Sequence, residues 1–319
     1  MDENNKSLSN LKNNEYTLGI DEAGRGPTLG PMVYACALWK NSDDNSINKD
    51  FAFDDSKKLT DLTRRNIYYK IKQDDRIKFY IAVNTPQDIS AKMLRRPGDI
   101  INLNEISYSS AVSLVNFAIN DNYNITNIFA DAVGPKHTYE KILEEGCIKK
   151  NITIRAEEKA DSKYKTVSAA SIIAKVTRDL IVENWDFKEN NNSIKFSQDL
   201  GSGYPADPNT KNWLINNFHP LFIYPDVVRF SWKTIKNIIM DKGLTVSFKD
   251  YDGGIDNKKT DKFIKSINEN KPLNIKKDEF NKSKYNLFFD KKSNKNIIYY
   301  CLYKENNLSS LDEDELLFS

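Results

Sequence analysis

The stretch from Leu18 to Leu38, LGIDEAGRGPTLGPMVYACAL, constrains this chain more than any other. Two apolar runs are separated by a short glycine-bearing turn, which predicts two neighbouring β-strands. The first run carries Asp21 and Glu22 out onto Gly24-Arg25-Gly26. Glycines at that point let backbone approach a ligand closely, and adjacent carboxylates can share a cation or a proton. On its own such a pair reads as a solvated turn. Residues further along the chain change that reading.

A polar loop is expected over Asn41 to Asp50, and Asp54-Asp55-Ser56-Lys57-Lys58-Leu59-Thr60 reads as the entry to a helix over Asp61 to Lys72. Lys57 and Lys58 suit a solvated surface, or a phosphate if they face the Asp21 turn. Phe79 to Val83 predicts a third strand. Asn102 to Asn120 has the wide apolar face of a helix, and Asn127 to Ala130 is a short strand ending on Asp131. Pro135 suits the first turn of the next helix. Ile152 to Ala156 alternates like a strand, Lys159-Ala160-Asp161 follows, and Ser168 opens a strong helix. Asp186 to Asp199 is an Asn-rich loop, and Asp199 to Pro205 is a tight turn presenting Tyr204. Asp207 to Phe218 and Ser231 to Met240 read as helices.

Three early strands close in sequence favour an antiparallel meander, and later strands alternating with helices favour parallel pairing. The fold class is therefore α/β, a mixed sheet flanked by helices with a helical C-terminal extension. If the strand before Asp131 lies beside the strand before Asp21, both acids emerge at one sheet edge, where ligand sites gather. Charge and cysteines narrow the function. A net charge of +2 excludes nucleic-acid binding by bulk charge but allows a local basic groove. Cys36, Cys147 and Cys301 lack metal-ligand spacing and suit reduced intracellular thiols. No run is long enough for a membrane span or a signal peptide. Residues 1–15 read as a disordered leader, 16–242 as the catalytic domain and 243–319 as a separate tail.

The candidate site holds Asp21, Glu22, Asp131 and Asp161. Packed together, four carboxylates repel by about 4 kcal/mol per close pair at an effective dielectric near 20. Two divalent cations would offset the charge, and oxygen ligands suit Mg²⁺ or Mn²⁺ over Zn²⁺. Paired cations of this kind hydrolyse phosphodiesters. Gly24 to Pro31 lacks the ending of a Walker phosphate loop, His137 and His219 are too few for a histidine metal site, and no G-x-S-x-G elbow is present.

The block GIDEAGRGP at Gly19 to Pro27 resembles the signature of the type 2 ribonucleases H. Asp55 to Leu59, Phe129-Ala130-Asp131, and Lys159-Ala160-Asp161 followed by Val167 to Ser171 are similar to that family's other blocks, in the same order. DLGSGYPADP at Asp199 to Pro208 and VRFSW at Val228 to Trp232 resemble its eukaryotic branch. The resemblance implies a ribonuclease H-like fold and two-metal cleavage of the RNA strand of RNA/DNA hybrids. It also implies incision 5′ of single ribonucleotides in duplex DNA, leaving a 3′-hydroxyl and a 5′-phosphate. By the same resemblance Asp21, Glu22, Asp131 and Asp161 fall on metal ligands. Gly24, Arg25 and Gly26 fall on the loop reading the 2′-hydroxyl, and Tyr204 on the ring packing against the adjacent deoxyribose. Lys57, Asn102 and Ser168 fall on contacts to the nucleic-acid backbone. A nuclear location and a heterotrimer with two non-catalytic subunits are further implications. Without the resemblance, Tyr204 reads as a core tyrosine and Arg25 as the partner of a nearby acid. A related nuclease cutting long hybrids only, or a hybrid-binding scaffold without catalysis, are the alternatives.

The tail from Gly243 to Ser319 matches no family block. Asn286 to Phe289 and Ile297 to Tyr303 flank a Lys/Ser/Asn turn and read as a hairpin, which is marginal alone and must dock somewhere; otherwise the tail is unstructured.

Overall fold

The computed structural model describes residues 14–51, 53, 59–190, 195–219 and 222–243. The leader up to residue 13, Lys57 and the candidate tail hairpin lie outside them. Strand β1 (Glu15–Ala23) and strand β2 (Met32–Lys40) pair antiparallel with Gly19 opposite Ala37 and Glu22 opposite Tyr34. A 3₁₀ turn (Asn41–Asp43) leads into α1 (Asp44–Phe51), where the sequence suggests a loop. Ile47 and Phe51 are its buried residues, four apart on one face, and Trp39 Nε1 donates to Asp44 at its start. Two apolar anchors and a side-chain tether outweigh the polar composition.

Helix α2 (Asp61–Gln73) is capped by Thr60, whose side chain accepts from Thr63 N. Strand β3 (Lys78–Asn84) pairs antiparallel with β2. Helix α3 (Pro86–Met93) has Thr85 as its cap and proline in its first turn, a start signal that few apolar residues follow. Helix α4 (Leu103–Asn120) comes next, then β4 (Asn124–Asp131), α5 (Lys136–Gly146) and β5 (Thr153–Glu157). The short α6 (Ala160–Lys163) precedes α7 (Lys165–Glu183), which begins three residues before Ser168. The C-terminal extension contains α8 (Pro208–Asn216) and α9 (Lys233–Lys242).

The sheet order is β3-β2-β1-β4-β5, with β4 parallel to β1 and β5 parallel to β4. The alternation of β1 and β2 divides the core. Leu18, Ile20, Tyr34, Cys36 and Leu38 pack with Ile106, Leu114 and Val115 of α4 on one face. Ala35, Ala37 and Trp39 pack with Ile172, Ile173 and Val176 of α7 on the other. Helix α7 crosses β1 so closely that a Cβ on Gly19 would lie 2.2 Å from the backbone of Thr166, which only glycine permits. A third cluster joins Leu29, Trp213, Leu214, Val228 and Ile235. It seats the C-terminal extension on the turn between β1 and β2, bringing DLGSGYP and VRFSW to the loop after Glu22.

Candidate active site

The parallel pairing of β1 and β4 sets Ile20 beside Ala130. Asp21 and Asp131 follow one residue later and leave the sheet at the same edge. Asp131 Oδ1 accepts from the backbone N of Ala160 at 2.9 Å, fixing the start of the short helix that carries Asp161. Lys159, just before it, is held in the left-handed region at φ 56°. Such a conformation costs on the order of 1 kcal/mol or more for a non-glycine residue and collects at functional sites. Asp161 is buried.

Asp21 Oδ1 accepts from Glu22 N at 2.7 Å. Burial pushes the Asp21 carboxyl well above the ordinary carboxylate range, and the charges of Glu22 and Asp131 push it the same way. Consecutive strand residues point to opposite faces, so Asp21 emerges on the α7 side and Glu22 on the α4 side, opposite Tyr34. Among the described residues no group of three or more His, Cys, Asp and Glu side chains closes around a point an ion could occupy. Asp21 and Asp131 leave the sheet on the α7 side and Glu22 on the α4 side, with Asp161 following on the short helix anchored to Asp131. The donors are hard oxygens, and the charges of Glu22 and Asp131 crowd Asp21, the combination that a hard divalent cation relieves.

The loop after Glu22 is held from beneath. Gly24 takes a left-handed conformation at φ 78°. Arg229 is fully buried, and its Nη2, Nη1 and Nε donate to the carbonyls of Gly24 at 2.6 Å, Arg25 at 3.1 Å and Gly30 at 2.8 Å. Burial lowers its proton affinity, and neighbouring Arg178 lowers it further. Trp232 Nε1 donates to Gly26 O at 3.0 Å, and the Arg229 guanidinium sits 4.8 Å from the Trp232 ring centre. In a planar trans peptide the N–H points away from the preceding carbonyl. Holding the Gly24 and Arg25 carbonyls inward therefore turns the N–H groups of Arg25 and Gly26 outward. The Arg25 side chain bonds Ser107 Oγ at 2.6 Å and Asn104 Oδ1, a hydroxyl and an amide in place of the acid that the sequence suggests.

The second glycine loop locks onto the first. Thr28 N and Oγ1 both donate to Gly203 O, at 2.7 Å and 3.0 Å. Asp207 caps α8 through Asn209 N at 3.0 Å and accepts from Ser202 N at 2.6 Å. Tyr204 is 47% exposed, so it is a surface ring and not a core tyrosine. It covers Gly26 so closely that a Cβ there would lie 2.8 Å from Tyr204 Cε1.

The remaining expected residues sit differently. Asn102 is the N-cap of α4 in a capping box: its Oδ1 accepts from Asn104 N at 2.9 Å and Glu105 N at 3.1 Å, while Glu105 accepts from Asn102 N. Ser168 lies wholly buried within α7. Lys57 is not among the described residues. Arg229 and Trp232 carry the loop, yet in the sequence they have no role beyond membership of the VRFSW block. An arginine and a tryptophan within one apolar block were the available signal.

Comparison with known proteins identifies the family of the chain. The family profile described as Ribonuclease HII matches residues 18–235. A ribonuclease H2 subunit of Caenorhabditis elegans is 43% identical over 253 residues, covering 78% of this chain and 83% of its own. The Mus musculus protein of the same name is 42% identical over 237 residues, covering 73% and 75%. The crystal structure of ribonuclease H2 from Pyrococcus horikoshii superposes with a TM-score of 0.59 at 32% identity, covering 71% of this chain and 98% of its own. With its sheet order, its acids and its glycine loop in place, this chain belongs to the ribonuclease HII family and is a ribonuclease.

Proposed function

We propose that this chain is an endonuclease that cleaves the RNA strand of RNA/DNA hybrids and incises 5′ of single ribonucleotides in duplex DNA. The observation that carries this reading is the seating of the exposed Tyr204 ring on Gly26, beside outward-turned amides and next to the carboxylate edge. Only a 2′-hydroxyl separates the two sugars at one position, so discrimination needs donors close to the sugar and a surface for its neighbour. The Arg25 and Gly26 amides supply the donors, and Tyr204 supplies a flat face for the adjoining deoxyribose. Asp21, Glu22, Asp131 and Asp161 would hold two divalent cations, Mg²⁺ or Mn²⁺, which supply an activated water and stabilise the leaving oxygen. Products then carry a 3′-hydroxyl and a 5′-phosphate. Lys57 is assigned to a phosphate, and Asn102 and Ser168 to the nucleic-acid path through the helices they belong to.

The Caenorhabditis elegans and Mus musculus relatives are each named as one subunit of ribonuclease H2, which supports a multi-subunit assembly. Two non-catalytic partners and a nuclear location are part of this reading. The tail beyond residue 242 is assigned to the partners. A chain ending at Lys242 should lose them while keeping the four acids; full recovery of partners on copurification would place the interface on the catalytic domain.

Asp21→Asn and Asp131→Asn test the catalytic assignment. Each removes a charge with almost no change in volume. Binding of a ribonucleotide-containing duplex should persist within about threefold, while cleavage falls by more than about a thousandfold, roughly 4 kcal/mol of barrier. Cleavage within about tenfold of wild type in either variant would remove these acids from catalysis.

A further inference from the structure

Tyr34 of β2 stands directly opposite Glu22 of β1. Opposed residues of antiparallel strands share a face, with Cβ atoms about 4.5–5.5 Å apart. Tyr34 is 0% exposed, and its hydroxyl closes no hydrogen bond of normal geometry among the described residues, Ser107 being the neutral side chain within reach of it. Buried phenols ordinarily donate to something. The groups acting on this one are Glu22, Tyr139, Ser107 and Arg25. Ser107 Oγ already gives its proton to Leu103 O at 2.8 Å and accepts from Arg25 Nη1 at 2.6 Å. Glu22, directly opposite on the neighbouring strand, is the one carboxylate among these groups.

We propose that Tyr34 is a positioning residue whose hydroxyl donates to the Glu22 carboxylate when Glu22 turns across the sheet edge to hold a divalent cation. Of the three acids carried by strands, Glu22 is the one that emerges on the α4 face, so a guide on that face serves Glu22 and not Asp21 or Asp131. Carboxylates that hold metals are themselves hydrogen-bonded, and loss of such a partner typically weakens metal affinity or activity about 10–100-fold. The same buried layer carries Ser107, which holds Arg25. The carboxylate edge and the glycine loop therefore rest on one polar layer.

This inference rests on the reading of Glu22 as a metal ligand, and the two are separable. The experiment is a calorimetric titration of the full-length chain with Mn²⁺ alone, for wild type, Glu22→Gln and Tyr34→Phe, beside thermal unfolding of each in EDTA. Tyr34→Phe should weaken Mn²⁺ binding about tenfold. Its metal-free unfolding midpoint should match or exceed wild type, because the deleted oxygen closes no hydrogen bond of normal geometry in that state. A purely structural tyrosine gives the opposite pattern, a lower midpoint with affinity unchanged or lowered only alongside it. Either that pattern or Mn²⁺ affinity within about twofold of wild type in Tyr34→Phe overturns the proposal. If Glu22→Gln also leaves affinity unchanged, the ligand reading falls with it; if Glu22→Gln alone weakens binding, only the role of Tyr34 falls.

Discussion

Arg229 Nη2 donates to the Gly24 carbonyl at 2.6 Å from a position with no exposed surface. The loop after β1 is thus pinned by a residue from the far end of the domain. Three carbonyls depend on one guanidinium fork, and a single ammonium cannot reach all of them. Arg229→Lys keeps the charge and leaves buried carbonyls unpaired, each costing about 1–3 kcal/mol. A loss of about 2 kcal/mol should lower the unfolding midpoint by roughly 4–8 °C. Cleavage at a lone ribonucleotide should fall at least about tenfold, the equivalent of roughly 1.4 kcal/mol. An unchanged midpoint and unchanged cleavage would show that the loop holds its shape without Arg229.

Tyr204 and Gly26 should behave as one unit. A methyl on Gly26 meets the ring at 2.8 Å and must displace it. Gly26→Ala and Tyr204→Ala should each reduce cleavage at a single ribonucleotide more than cleavage within a long RNA run, since on the proposed reading the ring faces deoxyribose only at a junction. The double variant should lose less than the sum of the two, because residues in contact couple by about 0.5–3 kcal/mol. Additive losses in a double-mutant cycle would separate them.

The raised Asp21 carboxyl predicts a pH dependence with a definite sign. Its folded affinity for a proton exceeds that of the unfolded chain, through burial, Glu22 and Asp131 in that order. Between the ordinary value near about 4 and the raised folded value, the native state binds more protons. Metal-free protein should therefore lose stability as pH rises through that window. Thermal melts in EDTA should show stability falling as pH rises above the ordinary carboxylate value in wild type and a smaller fall in Asp21→Asn, with Mn²⁺ restoring wild type at the upper end. Equal pH profiles for the two proteins would contradict the crowding of Asp21.

Much of the architecture is legible in the chain. The strand pair around Gly24 and the helical extension follow from apolar period and connection length, while the adjacency of the strands ending on Asp21 and Asp131, a condition in the sequence, is supplied by the sheet. The helix of Asp44–Phe51 is not, because only Ile47 and Phe51 mark its buried face among polar neighbours. The helix of Pro86–Met93 has a legible start in Thr85-Pro86 but few apolar residues to extend it. The opposite facing of Asp21 and Glu22 follows from strand alternation once the strand is known to run on to Ala23. The role of Arg229 depends on contacts across most of the chain, which no local pattern reports. Ser168 belongs to a helix that starts three residues earlier, with no side-chain cap to mark its beginning.

The most direct test is a duplex DNA carrying one ribonucleotide, incubated with the full-length chain in its native assembly and Mg²⁺ or Mn²⁺, beside an all-DNA duplex of the same sequence. Nicking 5′ of the ribonucleotide, with a 3′-hydroxyl and a 5′-phosphate at the break and no nicking of the all-DNA strand, is the predicted result. Equal cutting of both duplexes, or cutting of long hybrids with none at the single ribonucleotide, would contradict it.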